Sequence, residues 1–310
     1  MKIYAIFPDE PYMNSMSVHT MENPSNELQK LGVICCSQGF FFSNYISSIN
    51  DEDIVIMWVG ARNEEWLTKL SHLKCRKFLR NIDSCKSDKI LFKREQEIFH
   101  RTGFEAILLT YCTNYNKKFL ADRGIKSIDY PHLMDFSKNY FLPIEKRPFD
   151  FFISGQMSSV SYPLRTKLAS LLSKHKEKYK TCFLPHPGHT KKFASHPFYG
   201  EKYVELASNC KIAVTCTGDD DSLVMKYLEF AKAGVLPMGD YPSNIPENAK
   251  EAMLKVNKDM PDEEILCLID ETLNNTKILE KKIVSYQQAM SIFDISKTSE
   301  VLKTILSKGQ

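Results

Sequence analysis

No run of about 18 consecutive apolar residues, the length that crosses a bilayer, occurs in the chain, so no membrane-spanning helix is expected. The first residues read as a short apolar strand broken by Pro8, without the h-region of a signal peptide, and this predicts a cytoplasmic protein. The nine cysteines include no Cys-x-x-Cys pair. That absence argues against a zinc site, and the odd number argues against a disulfide framework; reduced, buried thiols are expected instead, with Cys35 and Cys36 packed in a core strand. Excess charge is also scarce: 41 Lys and Arg stand against 38 Asp and Glu, a net +3. So small an excess excludes a protein held to nucleic acid by many phosphate contacts. Internal repeats and low-complexity tracts are absent. What remains is 310 residues, 43% hydrophobic and 25% charged, the composition of a globular protein with room for two medium-sized domains.

Along the chain, short apolar runs alternate with helical patterns. Strands are expected at 2–7, 33–36, 54–59, 77–82, 106–111 and 126–128, with helices from about 24, at 63–73, 93–101 and 114–123 between them. Residues 137–149 carry two prolines, mixed charges and no period, and read as an inter-domain linker. The pattern then restarts with strands at 150–154 and 181–184 and helices at 163–175 and 201–208. Helices at 262–274, 278–290 and 296–307 close the chain. Such alternation predicts an α/β protein with parallel sheets.

Residues 211–240, KIAVTCTGDDDSLVMKYLEFAKAGVLPMGD, are the most informative stretch. They read as a strand at 212–217, a polar turn at 218–221, a helix at 222–232 and a strand at 235–238. Asp221 or Ser222 is the expected N-cap, and Gly234 the left-handed C-cap. Lys226 and Glu229, three residues apart, share one helix face, while Leu223, Tyr227, Phe230 and Ala231 face the sheet. Parallel sheets bind ligands beyond the carboxyl ends of their strands, where helix N-termini favour phosphate. The alternative is a solvated surface pair on an amphipathic helix.

KYLEFAKAGVLPMGD, residues 226–240, resembles the donor-site segment of group 1 and CgeB-like glycosyltransferases, a set that includes glycan-building enzymes of large DNA viruses. The resemblance implies a GT-B fold: two Rossmann-like domains facing a cleft, with a C-terminal helix crossing back to the first. The implied domains are 1–142 on the acceptor side, 143–295 for the nucleotide-sugar, and 296–310 as the returning helix. It further implies a Leloir-type transferase that moves a sugar from a nucleotide diphosphate sugar of UDP or GDP type, UDP-xylose and UDP-glucose among them, to a glycan or glycoprotein acceptor, with no metal or other cofactor. By position, Glu229 would hold the ribose, and Asp221 stands where the family's E-x7-E pattern has its first Glu. Ser222, Lys226 and Tyr227 would line the donor.

Two further stretches resemble the same family. Gly155 opens the loop after the strand at 150–154, and Arg165 follows it; a glycine lets backbone approach a phosphate that a basic residue neutralises. His186 lies in Pro-His-Pro-Gly-His, residues 185–189, which resembles both a nucleotide-lining loop of group 1 relatives and the His-Pro motif of CMP-sugar transferases. A CMP-sugar transferase of sialyl or Kdo type is therefore an alternative, as is a metal-dependent transferase using the cluster from Asp219 to Asp221. The catalytic base is sought in loops after the first-domain strands, where Asp83, Asp9 and His19 are the candidates. Each is also an ordinary loop cap.

Overall fold

The computed structural model describes residues 1–9, 22–58, 64–81, 89–138, 140–160, 162–185, 200–217 and 221–307. The chain divides into two compact units, Met1–Leu133 with Ile295–Gln310, and Met134–Asp294.

Unit 1 is built from β1 (Ile3–Phe7), α1 (Glu22–Lys30), β2 (Ile34–Ser37), α2 (Gln38–Asn44), β3 (Ile54–Trp58), α3 (Glu64–His72), β4 (Arg76–Asn81), α4 (Lys89–Thr102), β5 (Ala106–Leu109), α5 (Asn114–Ala121) and β6 (Ser127–Asp129). The strands form one parallel sheet in the order β2-β1-β3-β4-β5-β6. All five residues of β3, Ile-Val-Ile-Met-Trp, are buried, as an unbroken apolar run requires when both faces of a parallel sheet are covered. The core packs Tyr4, Ile6, Val55, Met57, Leu79, Ile107 and Leu109 against helix residues such as Phe41, Leu67 and Phe99. The local chemistry of the helix starts is visible: the Thr113 hydroxyl accepts the Asn116 N–H at 3.1 Å at the head of α5, and Ser37 accepts from Phe40 at the head of α2. Cys35 and Cys36 are only partly buried, because β2 is the edge strand.

Unit 2 contains β7 (Phe149–Gly155), α6 (Pro163–Lys174), β8 (Thr181–Pro185), α7 (Glu201–Ser208), β9 (Cys210–Val214), α8 (Met225–Ala233), β10 (Leu236–Gly239), α9 (Glu247–Ala252), β11 (Leu254–Lys255), α10 (Asp262–Leu273) and α11 (Thr276–Met290). Its sheet is parallel throughout, in the order β11-β10-β9-β7-β8. The chain steps from β7 to β8 on one side and then continues through β9 on the other, so β7 and β9 flank a topological switch point. In unit 1 the same role falls to β1 and β3. The last helix, α12 (Thr298–Ser307), belongs to unit 1, where it packs on α1.

Three features differ from the sequence expectations. Helix α8 begins at Met225 rather than 222, and neither Asp221 nor Ser222 caps it; the N-cap is Val224, without a side-chain hydrogen bond. The reason lies in a neighbouring loop: Asn244 Oδ1 accepts the Leu223 N–H at 3.0 Å and the Asp221 carbonyl accepts the Ser243 N–H at 2.7 Å, which holds this segment off the helical path. Helix α2 and the pair α9 and β11 were unanticipated, each too short to show a period. Residues 137–149 lie within unit 2, where Ile144 and Arg147 are buried. Gly234 does take the left-handed conformation at the end of α8, with φ 63° and ψ 39°.

Candidate functional site

The carboxyl ends of β7 and β9 bring three of the expected residues together. β7 ends in Ser154 and Gly155, and Gly155 has φ +98°, a conformation that favours glycine. A Cβ at this position would lie 2.9 Å from Arg165 Nη1 and 3.0 Å from Lys226 Cε. Two cations, one from α6 and one from α8, thus pack against the same bare stretch of backbone. Arg165 is the third residue of α6, in the first turn of a helix opened by Pro163. Lys226 is the second residue of α8, and the turn of the chain after β9 delivers it.

Each cation is held by hydrogen bonds that leave donors over. The Lys226 ammonium donates to Ser154 Oγ at 3.0 Å and to the Tyr203 hydroxyl at 2.9 Å, while these two oxygens share a hydrogen bond at 2.6 Å. A lysine ammonium has three N–H groups, so one is not used by these contacts. Arg165 is 3% exposed, donates from Nη1 to the Gln156 carbonyl at 3.1 Å, and lies with its guanidinium 4.5 Å from the Tyr162 ring centre. Among the described residues its Nε has no hydrogen-bond partner. Among the described residues neither cation forms a salt bridge with a carboxylate, although Glu229 lies near enough to Lys226 to favour its charge. Burial pushes the Lys226 ammonium down to about 8; Glu229 opposes the shift and the charge of Arg165 adds to it. The Tyr203 phenol is driven well above its ordinary range by burial and then by Glu229, so it stays protonated and able to donate.

Around this cradle the remaining expected residues occupy distinct places. Glu229 lies three residues along α8 from Lys226 and is 9% exposed, so the pair is not a solvated surface feature. Tyr227 is fully buried and donates its hydroxyl to the Asp240 carbonyl at 2.9 Å. Ser222 is buried; Asp221 is exposed, with φ 54°. His186 lies outside the described residues, and so do Asp219 and Asp220. Among the described residues no group of three His, Cys, Asp or Glu could hold a metal ion. In unit 1 the Asp9 carboxylate accepts the Gly39 N–H at 2.8 Å, the arrangement of a loop-tying cap; Asp83 and His19 lie outside the described residues.

Sequence reading did not assign roles to Ser154 and Tyr203, which fix the lysine, or to Asp240 and Thr217. Asp240 accepts the Thr217 N–H at 2.7 Å and its hydroxyl at 3.2 Å, tying the end of β10 to the strand end of β9. A tyrosine in the first turn of an amphipathic helix carries no signal of its own. Only the packing of α7 against α8 reveals its purpose.

No protein-family model matches the sequence, and no curated protein is significantly similar to it. Solved structures do match. Anabaena HepE in complex with UDP superposes with a TM-score of 0.63 at 9% identity, covering 99% of this chain and 100% of that one. The E. coli protein described as trehalose-6-phosphate bound with UDP-2-fluoro glucose matches with a TM-score of 0.60 at 9% identity, over 99% of each chain. TarM matches with a TM-score of 0.58 at 12% identity, over 84% of this chain and 56% of its own.

The fold is GT-B. A GT-B chain has two Rossmann-like units, and the two parallel sheets ordered β2-β1-β3-β4-β5-β6 and β11-β10-β9-β7-β8 are those units here. Among the described residues no helix is long and apolar enough to cross a membrane, and the eight described cysteines are all free.

Proposed function

We propose that this GT-B chain is a Leloir-type glycosyltransferase that takes its sugar from a nucleoside diphosphate sugar of UDP or GDP type. The observation that carries the reading is the pairing of Arg165 and Lys226 over Gly155 at the switch point of the unit 2 sheet. Open α/β sheets bind ligands at this position, and two cations that form no salt bridge with a carboxylate among the described residues suit a diphosphate. The similarity in fold to HepE with UDP and to the E. coli protein with UDP-2-fluoro glucose supports the same donor class.

In this reading the spare N–H of Lys226 and the Nε edge of Arg165 take the diphosphate oxygens, and Glu229 takes the ribose hydroxyls. As the glycosidic bond to the diphosphate breaks, negative charge gathers on the leaving oxygens. Cations already fixed by Ser154, Tyr203 and the Gln156 carbonyl stabilise it without reorganisation. The acceptor is a carbohydrate hydroxyl of a glycan or glycoprotein, transfer takes place in the cytoplasm, and the charge compensation comes from these two side chains rather than from a metal.

Calorimetric titration with UDP, GDP, ADP, dTDP and CMP, and with the corresponding sugars, tests the reading with and without EDTA. One nucleoside diphosphate is expected to bind selectively in both conditions, with affinity reduced about tenfold or more in Glu229→Ala. Equal binding by wild type and Glu229→Ala would remove the ribose assignment. Absence of binding by every nucleotide would remove the function.

A further inference from the structure

Unit 1 holds a buried cation that nothing in the donor reading uses. Arg80, near the end of β4, is 2% exposed. Its guanidinium is sandwiched between two rings, 4.6 Å from the centre of Trp58 at the end of β3 and 4.1 Å from that of Tyr130 just beyond β6. Among the described residues its hydrogen bonding is sparse: Nε reaches Thr110 Oγ1, just beyond β5, at 3.4 Å, the Tyr130 hydroxyl lies near enough to interact, and Nη1 has no partner. Among the described residues no carboxylate compensates the charge. All four strands present these residues at their carboxyl ends, and β3 pairs β4 in the register Trp58 to Arg80.

The neighbours of this guanidinium are also unanswered, and they are donors. Among the described residues, the indole Nε1–H of Trp58 and both ring nitrogens of His132 are buried without a hydrogen-bond partner, while the Tyr130 hydroxyl interacts with Thr298 and with Arg80. His132 is close enough for the charge of Arg80, together with burial, to hold its imidazole down to about 3, so it is neutral and must carry one N–H. Native interiors pair the great majority of their buried polar groups, so so many orphans around one charge call for an explanation. Cation–π contact offsets only part of the cost of burying a charge. A methionine would fill the same gap without that cost, so packing alone does not account for the arginine.

Unanswered N–H donors beside a guanidinium, with no acid near it among the described residues, are the complement of an oxyanion. We propose that the carboxyl ends of β3 to β6 in unit 1 form a second anion site, separate from the cradle at Gly155, in which the Arg80 edge and the Trp58 indole N–H bind a compact phosphate or carboxylate group. The rings on the guanidinium faces leave its edge as the binding direction, and the fork of an arginine edge fits either group in two parallel hydrogen bonds. The low exposure limits the ligand to a free ion or a small terminal acidic group. This inference stands whether or not the chain transfers sugar.

The two tryptophans of the protein, Trp58 and Trp66, both belong to unit 1, so tryptophan emission reads this site and not the cradle in unit 2. In a Trp66→Phe protein, Trp58 is the sole reporter. Titration with inorganic phosphate, and separately with acetate, at ionic strength held constant with chloride, is expected to give a saturable change in Trp58 emission for at least one of the two anions. The change should persist in Lys226→Met, weaken several-fold in Arg80→Lys, which keeps the charge without the fork, and vanish in Arg80→Met. No saturable change with either anion overturns the proposal, as does a change that survives undiminished in Arg80→Lys. Should Arg80→Met fail to fold, the Arg80→Lys comparison decides the matter alone.

Discussion

Two arginines are buried to nearly the same degree in the two units, and their surroundings could hardly differ more. Arg147 of unit 2, 4% exposed, donates from Nη1 to the carbonyls of Cys210 and Gly234 at 2.9 and 2.8 Å, and from Nε and Nη2 to the Leu142 carbonyl at 2.8 and 2.7 Å. It joins the chain before β7 to the start of β9 and the end of α8, and the cost of its burial is offset by four short bonds. Arg80 of unit 1, 2% exposed, has among the described residues one long bond from Nε, the nearby Tyr130 hydroxyl and two aromatic faces. Burial alone therefore does not distinguish a structural arginine from a ligand-binding one. The count of unanswered donors does.

The contrast can be broken most directly at Arg147. Arg147→Met removes four bonds and strands three carbonyls, and should lower the unfolding free energy of unit 2 by about 3 kcal/mol or more. Denaturant unfolding followed by far-UV circular dichroism checks this; a loss under about 1 kcal/mol would mean that saturation with carbonyls is not what keeps Arg147 in place.

Lys226 sharpens the comparison from the ligand side. Its ammonium, held down to about 8 in the free protein, must be charged to hold a diphosphate. Raising the pH through that value removes the proton, so nucleoside diphosphate affinity should fall about tenfold per pH unit above about 8. Lys226→Met should bind about ten- to a hundredfold more weakly below that pH and lose the pH step, as isothermal titration in matched buffers would show. A wild-type affinity flat from pH 7 to 10 would count against the role given to Lys226.

A further expected effect lies on the acid side of unit 1 and is spread over several pH units. His132 is held neutral, its folded value near 3 lying below the ordinary 6.5. Between those values the unfolded chain binds more protons than the folded one, so this residue's contribution to stability is complete above pH 6.5 and is lost as pH falls toward 3. Among the described residues, the groups that face it are the Arg80 guanidinium and the Tyr111 ring, and neither offers it a negative charge. The stability difference between wild type and His132→Leu should change by about 1.4 kcal/mol per pH unit across that window. Tryptophan emission, which reads unit 1 alone, provides the measurement, and a difference that is constant with pH would refute the assignment.

Most of the α/β frame was legible in the residues. The apolar run of β3, the proline opening α6 and the glycine closing α8 each carry a local signal that the fold obeys. The start of α8 was not legible, because its displacement comes from hydrogen bonds to Ser243 and Asn244, some twenty residues further on. Gly155, Arg165, Lys226 and Glu229 could be named from sequence as candidates, but not the hydroxyls of Ser154 and Tyr203 that aim the lysine, since β7 and α7 meet α8 only in the folded unit.

The sequence by itself determined the alternation of strand and helix, and with it two parallel sheets, because hydrophobic period, glycine and proline act over a few residues. Only the tertiary structure decided which charges matter. Arg80, Arg147, Arg165 and Lys226 look alike as letters in a chain. What separates them is the set of acceptors that the fold brings within hydrogen-bond reach, and that set is assembled from strands and loops far apart in sequence.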